Sequence, residues 1–195
     1  MRYDARTRLQ QGPIGSVVAQ WSNPSFIKSI QTGTIELNGL TTATGTIAAV
    51  NMNNALLLWG GVANASVAEQ ANQVGIRLTL TNATTVTATR IATEAVGCLV
   101  RYLVMELNPG IIKQIQRFPG VDINGGVAVT QALTTVNTRK SFPLHLGTTY
   151  NSANDSVAAL LQVAVTITSA TVATLTIGSN PGAACLTSFD VIELF

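Results

Sequence analysis

The sequence is short of charge. Lys and Arg together number 11 and Asp and Glu 9 among 195 residues, so charged positions make up 10% where about a quarter is usual. Combined with 47% hydrophobic content, this excludes a disordered chain. It also points to a surface that is largely covered in an assembly. Histidine occurs once, at His145, which excludes the HExxH and Cys2His2 zinc patterns. A Gly-rich phosphate loop is missing, so no cofactor and no metal are expected. With no basic stripe or aromatic platform, no nucleic-acid partner is expected. The longest apolar stretch, Ala55 to Val62, is far short of a membrane span, and no membrane insertion is expected. The N-terminus lacks the apolar core of a signal peptide, so none is expected.

What the chain does have is a repeat. Asn23-Pro24-Ser25-Phe26-Ile27-Lys28-Ser29-Ile30-Gln31 returns, about 85 residues later, as Asn108-Pro109-Gly110-Ile111-Ile112-Lys113-Gln114-Ile115-Gln116. Ile35-Glu36-Leu37-Asn38-Gly39 returns as Val121-Asp122-Ile123-Asn124-Gly125, and Leu78-Thr79-Leu80-Thr81-Asn82-Ala83-Thr84 as Val165-Thr166-Ile167-Thr168-Ser169-Ala170-Thr171. Val104-Met105-Glu106-Leu107 returns as Val191-Ile192-Glu193-Leu194. The spacing drifts slightly along the copy, as two single-residue insertions produce. The organisation read from this is an arm, residues 1–22, followed by two similar units, 23–108 and 109–195.

Both units read as strands. Ile27 to Leu37 is one extended run, with Gly33 marking a bend or bulge and Asn38-Gly39 a turn. Thr44 to Val50 and Ala55 to Trp59 follow, and the gap Val62 to Gln73 has room for a helical turn. Ile76, Leu78 and Leu80 alternate onto one face, joined by Val86 and Ala88 after the Asn82-Ala83-Thr84 turn. Gly97 to Leu107 closes the unit, and Ala184 to Phe195 is its counterpart. Val163, Val165, Ile167, Leu175 and Ile177 form the inner face of the second unit. Six short, β-branched strands per unit give an all-β fold: two tandem antiparallel sandwiches preceded by an extended arm.

Residues with chemistry to offer are few. His145 lies between Leu144 and Leu146, aligns with Trp59, and reads as a packed core or interface histidine. Cys98 and Cys185 share one repeat position and read as small buried residues with a common structural role, free thiols being favoured over an inter-domain disulfide, which the repeat symmetry permits but does not demand. Glu36 and Glu106 recur as Asp122 and Glu193 and read as polar positions of the strand alternation rather than an acid–base pair. The stretch Gly147 to Ala159 reads as a loop in which Tyr150, Asn151, Asn154 and Asp155 offer a ring, amides and a carboxylate to a glycan or a partner subunit. In the arm, Arg2, Arg6 and Arg8 beside Asp4 hold the whole net charge of +2, and Val17, Val18 and Trp21 follow as apolar anchors. That pattern suits a segment that orders on a partner surface.

The segments Ile27 to Ile35, Arg77 to Arg90 and Val100 to Leu107 resemble a repeat module of virion structural proteins of tailed bacteriophages. The resemblance implies a non-enzymatic part, a head decoration or a tail- or fibre-associated protein, whose partners are other virion proteins and further copies of itself. Unit two departs from it: Arg117-Phe118-Pro119-Gly120 replaces the Gln-x-Gly-Thr step, and Ile177 stands where Arg90 was. The opening strand is also similar to that of H-type lectin sandwiches, which implies a trimeric, glycan-binding receptor module as the alternative.

Overall fold

The computed structural model describes residues 26–64, 71–92, 97–124, 126–151 and 162–195. They form a mostly β protein with three antiparallel sheets. In chain order the strands are β1 (Ile27–Glu36), β2 (Thr42–Thr46), β3 (Ala55–Asn64), β4 (Arg77–Asn82), β5 (Thr85–Thr89), β6 (Cys98–Leu107), β7 (Ile112–Asp122), β8 (Ala128–Ala132), β9 (Ser141–Tyr150), β10 (Ala164–Ser169), β11 (Val172–Thr176) and β12 (Cys185–Leu194). A single helical turn, α1 (Ala71–Val74), precedes β4. Among the described residues, no helix is long and apolar enough to cross a membrane.

The pairings repeat along the chain. One sheet has the order β1-β6-β3, and β7-β12-β9 occurs in the same antiparallel sense within the six-stranded sheet. The hairpins β2-β5-β4 and β8-β11-β10 correspond likewise. Even the backbone bonds between elements recur. Leu37 donates to the Cys98 carbonyl as Ile123 does to Cys185, and Val50 donates to Ala83 as Val136 does to Ala170. The six-stranded sheet runs β2-β5-β4-β9-β12-β7, its two parts joined by the bridge Arg77↔Gly147.

Three apolar clusters follow from the alternation. Ile35, Leu57, Leu78, Leu80, Val86, Ala88, Val100 and Val104 close one core, between β1-β6-β3 and β2-β5-β4. Tyr150, Ala173, Leu175, Phe189 and Val191 anchor a second, between β7-β12-β9 and β8-β11-β10. The third lies between the outer faces of β1-β6-β3 and β7-β12-β9: Leu56, Leu107, Ile112 and Ile192 with Leu58, Met105, Ile115, Leu144 and Leu194. Cys98 belongs to the first core and Cys185 to the second, so the two buried thiols serve separate cores and form no disulfide.

The turn at Asn38-Gly39 forms, with Gly39 at φ 65°. Gly33 behaves differently from the expectation. The register β1–β6 runs unbroken through Gly33↔Tyr102, and the first bulge lies instead at Lys28. A Cβ at residue 33 would run into the Tyr102 ring, so the position is glycine to make room for that side chain. The second half solves the same place with bulk: Phe118 and Phe189, in register, stack at 4.7 Å. A bulge common to β3 and β9 does use glycine's freedom. Gly61 has φ 96° and Gly147 φ 99°, where L side chains are strained.

Candidate assembly interface

The repeated nonapeptide departs from strict alternation, and the reason is chemical. The register shift between Ile27 and Ser29 lets two consecutive residues, Lys28 and Ser29, reach one carboxylate. Lys28 Nζ lies 2.9 Å from Glu106 Oε1, Ser29 Oγ 3.5 Å from Oε2, and the Asn51 amide donates to Oε1 at 3.0 Å. The second copy repeats the cluster. Lys113 Nζ is 2.9 Å from Glu193 Oε1, Gln114 Nε2 2.6 Å from Oε2, and the Asn137 amide donates at 3.1 Å. Glu106 and Glu193 are 2% and 1% exposed, which corrects their reading as polar-alternation residues. Glu36 and Asp122 stay exposed. The glutamines clamp a neighbouring loop: Gln31 donates to and accepts from Ala48, and Gln116 does the same with Thr134.

Burial alone would raise the Glu106 carboxyl, but the Lys28 hydrogen bond and charge, with the Asn51 amide and Ser29, outweigh it and hold it below the ordinary value. Glu193 is held low by the Lys113 hydrogen bond first, against burial, then by Gln114 and Asn137. A carboxyl held low in the folded state contributes stability above its unfolded value that vanishes as pH falls through the folded value. The stability gap between the protein and its Glu106→Gln/Glu193→Gln variant should therefore close as pH drops below about 4. Thermal melts from about pH 3 to 8 check this, and a pH-independent gap contradicts it.

The segment that departs between the copies, Arg117-Phe118-Pro119-Gly120, contacts residues of the first copy. Arg117 pairs with Asp190 on the neighbouring β12 and donates to the carbonyls of Met52 and Ala55 at 2.7 and 2.8 Å, just before and at the start of β3. In the other direction, Arg77 of β4 donates to the Pro119 carbonyl, which also accepts from Ser188 Oγ at 2.8 Å. The bulge at Pro119-Gly120, opposite Ser188, takes up one inserted residue of the second copy. Burial pushes the Asp190 carboxyl up to about 6 against the opposing charge and hydrogen bond of Arg117. A raised value of this sign gives stability that is complete below about 3.8 and lost as pH rises through about 6. Where Ile177 packs into the second core, Arg90 at the equivalent place is buried and donates to the carbonyls of Leu37, Leu40 and Gln73.

His145 borders this joint. Nε2 is 3.1 Å from Thr148 Oγ1, which in turn is 2.9 Å from Thr187 Oγ1. The ring lines a cleft with its repeat counterpart Trp59, beside Ile76 and Gly147, and burial lowers its pKa. It is thus a partly buried, packed histidine. Among the described residues, no group of three or more His, Cys, Asp or Glu is placed to hold a metal.

Tyr150 requires a correction. It ends β9 rather than standing in a loop, is buried in the second core, and donates its hydroxyl to the Pro181 carbonyl. Its ring is therefore not presented to a glycan. The sequence around it misleads because polar Asn151 follows at once, and Asn151 is exposed with its amide bonded to the Ala184 carbonyl. Asn154 and Asp155 lie outside the described residues, as do Arg2, Arg6, Arg8, Val17, Val18 and Trp21 of the arm.

At the start of β1, Phe26 and Ile30 are 75% and 53% exposed, and Ile27 is also exposed. The buried ionic residues were the main features hidden from sequence reading. One signal was available: in a chain with so few charges, Lys28 and Glu106 recur together as Lys113 and Glu193. Comparison with known proteins finds no matching family model, no matching curated protein and no matching solved structure.

Proposed function

We propose that the chain is a non-enzymatic structural protein of a bacteriophage virion. In this reading it coats or cements the capsid, or joins a tail or fibre, through its sheet faces and an N-terminal arm. Its architecture would be the arm, residues 1–22, and two tandem sandwiches, 23–108 and 109–195. The observation that carries the assembly part of the reading is the exposed apolar start of β1, with Phe26, Ile27 and Ile30. The bacteriophage assignment itself rests on the sequence resemblance. The glycan-binding alternative is left without its stacking residue, because Tyr150 is buried.

Deleting residues 1–20 should leave a folded protein whose melting temperature moves little, while its incorporation into particles weakens. Changing Arg2, Arg6 and Arg8 together to Ser should make the remaining attachment less salt-sensitive, because exposed ion pairs are screened by salt. A truncated chain that assembles as well as the full one removes the arm from the account.

A further inference from the structure

We propose that Asn38 is a self-modification site, at which the side-chain amide closes onto the Gly39 nitrogen and then opens to aspartate or isoaspartate. The Asn38-Gly39 turn follows β1, and both residues are exposed. Gly39 has φ 65°, and a Cβ built on it would meet nothing within 4 Å, so no side chain, its own or a neighbour's, crowds that side of its nitrogen. Among the described residues, neither the Asn38 side chain nor the Gly39 amide takes part in a hydrogen bond.

Other asparagines are pinned. The Oδ1 atoms of Asn51, Asn82, Asn137 and Asn180 accept from the amides of Asn53, Thr84, Arg139 and Gly182 at 3.0, 2.9, 3.1 and 3.0 Å. Each is followed by a residue with a side chain, Met52, Ala83, Thr138 or Pro181, and proline has no N–H to react. Asn38 differs in both respects, with an unheld amide and a glycine beyond it. Its repeat equivalent, Asn124, is also followed by glycine, but Gly125 lies outside the described residues.

The chemistry needs only water, and asparagine is among the residues prone to such loss. Solvent base removes the Gly39 amide proton, and the nitrogen attacks Asn38 Cγ. The new N–Cγ bond closes a cyclic imide, the Cγ–Nδ2 bond breaks, and Nδ2 takes a proton from water and leaves as ammonia. Water then adds to one of the two imide carbonyls. Opening at Cγ breaks the new bond and gives aspartate. Opening at the Asn38 main-chain carbonyl breaks the original peptide bond and leaves the chain running through Cβ and Cγ, as isoaspartate. No oxidation or reduction is involved. The isoaspartate route is longer by one methylene, and the turn is held on both sides. The Leu37 carbonyl accepts from Nη2 of the buried Arg90, and the Leu40 carbonyl from its Nε at 2.8 Å. Lengthening the chain between them pulls on this clamp, whereas aspartate leaves the main chain as it was.

The inference stands independently of the virion reading. The test holds the full chain in mildly alkaline buffer, with and without denaturant, and maps its peptides by mass spectrometry with isoaspartyl methyl-transfer labelling. Asn38 should convert before Asn51, Asn82, Asn137 or Asn180, and about as fast in the folded chain as in denaturant. Asn38→Gln should abolish conversion at this turn and melt with the parent. In an Asn124→Gln background, which silences the second Asn-Gly pair, the isoaspartate-bearing chain should melt at a lower temperature than fresh protein. Asn38→Asp should melt with the parent, which separates the lengthened main chain from the added charge. Slowing by about tenfold or more on folding, the mark of a turn that must first open, overturns the proposal. Conversion of a pinned asparagine ahead of Asn38 overturns it as well, and an isoaspartate-bearing chain that melts with the fresh one overturns the effect on the Arg90 clamp.

Discussion

Replacing Arg117 by alanine should destabilise the protein by about 3–5 kcal/mol, the usual cost of removing one partner from a buried ion pair. The guanidinium side chain is 18% exposed and its partner Asp190 3%. Without Arg117, Asp190 loses the one cation that opposes its burial, and its carboxyl, already near 6, rises further. The Met52 and Ala55 carbonyls lose their donor in the same step. Lysine should recover only part of the loss, because a point charge cannot reproduce the fork that serves a carboxylate and two carbonyls together. Arg117→Met with Asp190→Leu should come much closer to the parent, since a packed apolar pair replaces the charges instead of orphaning one. Urea denaturation separates these cases. A loss below about 1 kcal/mol would mean that water already satisfies Asp190.

Phe189→Ala should cost about 3–5 kcal/mol, as large-to-small changes of buried aromatic residues do. Phe189 is fully buried, packs in the second core, and stacks on Phe118. The cavity cannot be refilled cheaply from β7, where Phe118 is followed by the Pro119-Gly120 bulge and the Arg77 contact. Phe118→Ala should cost less, since that side chain is only partly buried. Equal losses for the two variants in chemical denaturation would mean that the stacking geometry, not the depth of burial, decides the energy.

Much of the strand pattern was legible. Alternation placed Ile76, Leu78, Leu80, Val86 and Ala88 inside, and all five are buried. Turn chemistry placed Asn38-Gly39 and Asn82-Ala83-Thr84; in the second, the Asn82 side chain accepts from the Thr84 amide at 2.9 Å. What failed were positions decided by distant parts of the chain. Glu106 looks surface-facing because it is charged, yet its parity is that of Val100, Tyr102 and Val104, and the bulge at Lys28 brings a cation and a hydroxyl onto it that make burial tolerable. Gly33 looks like a bulge signal, but the residue that requires it is Tyr102 on the next strand. Tyr150 looks like the start of a polar loop, whereas β9 continues to it because β12 pairs with it through Cys185. The clearest clue to the joint was a difference: the second copy changes sequence at Arg117 to Gly120, where it touches the first.

The measurement that tests the central claim most directly is the copy number and position of this chain in purified, salt-washed bacteriophage particles, by quantitative mass spectrometry and electron cryomicroscopy. The account predicts a fixed stoichiometry and density for the two sandwiches at defined sites, as ordered rings on the head or a few copies at the tail. A chain abundant in the infected cell but absent from washed particles would contradict it.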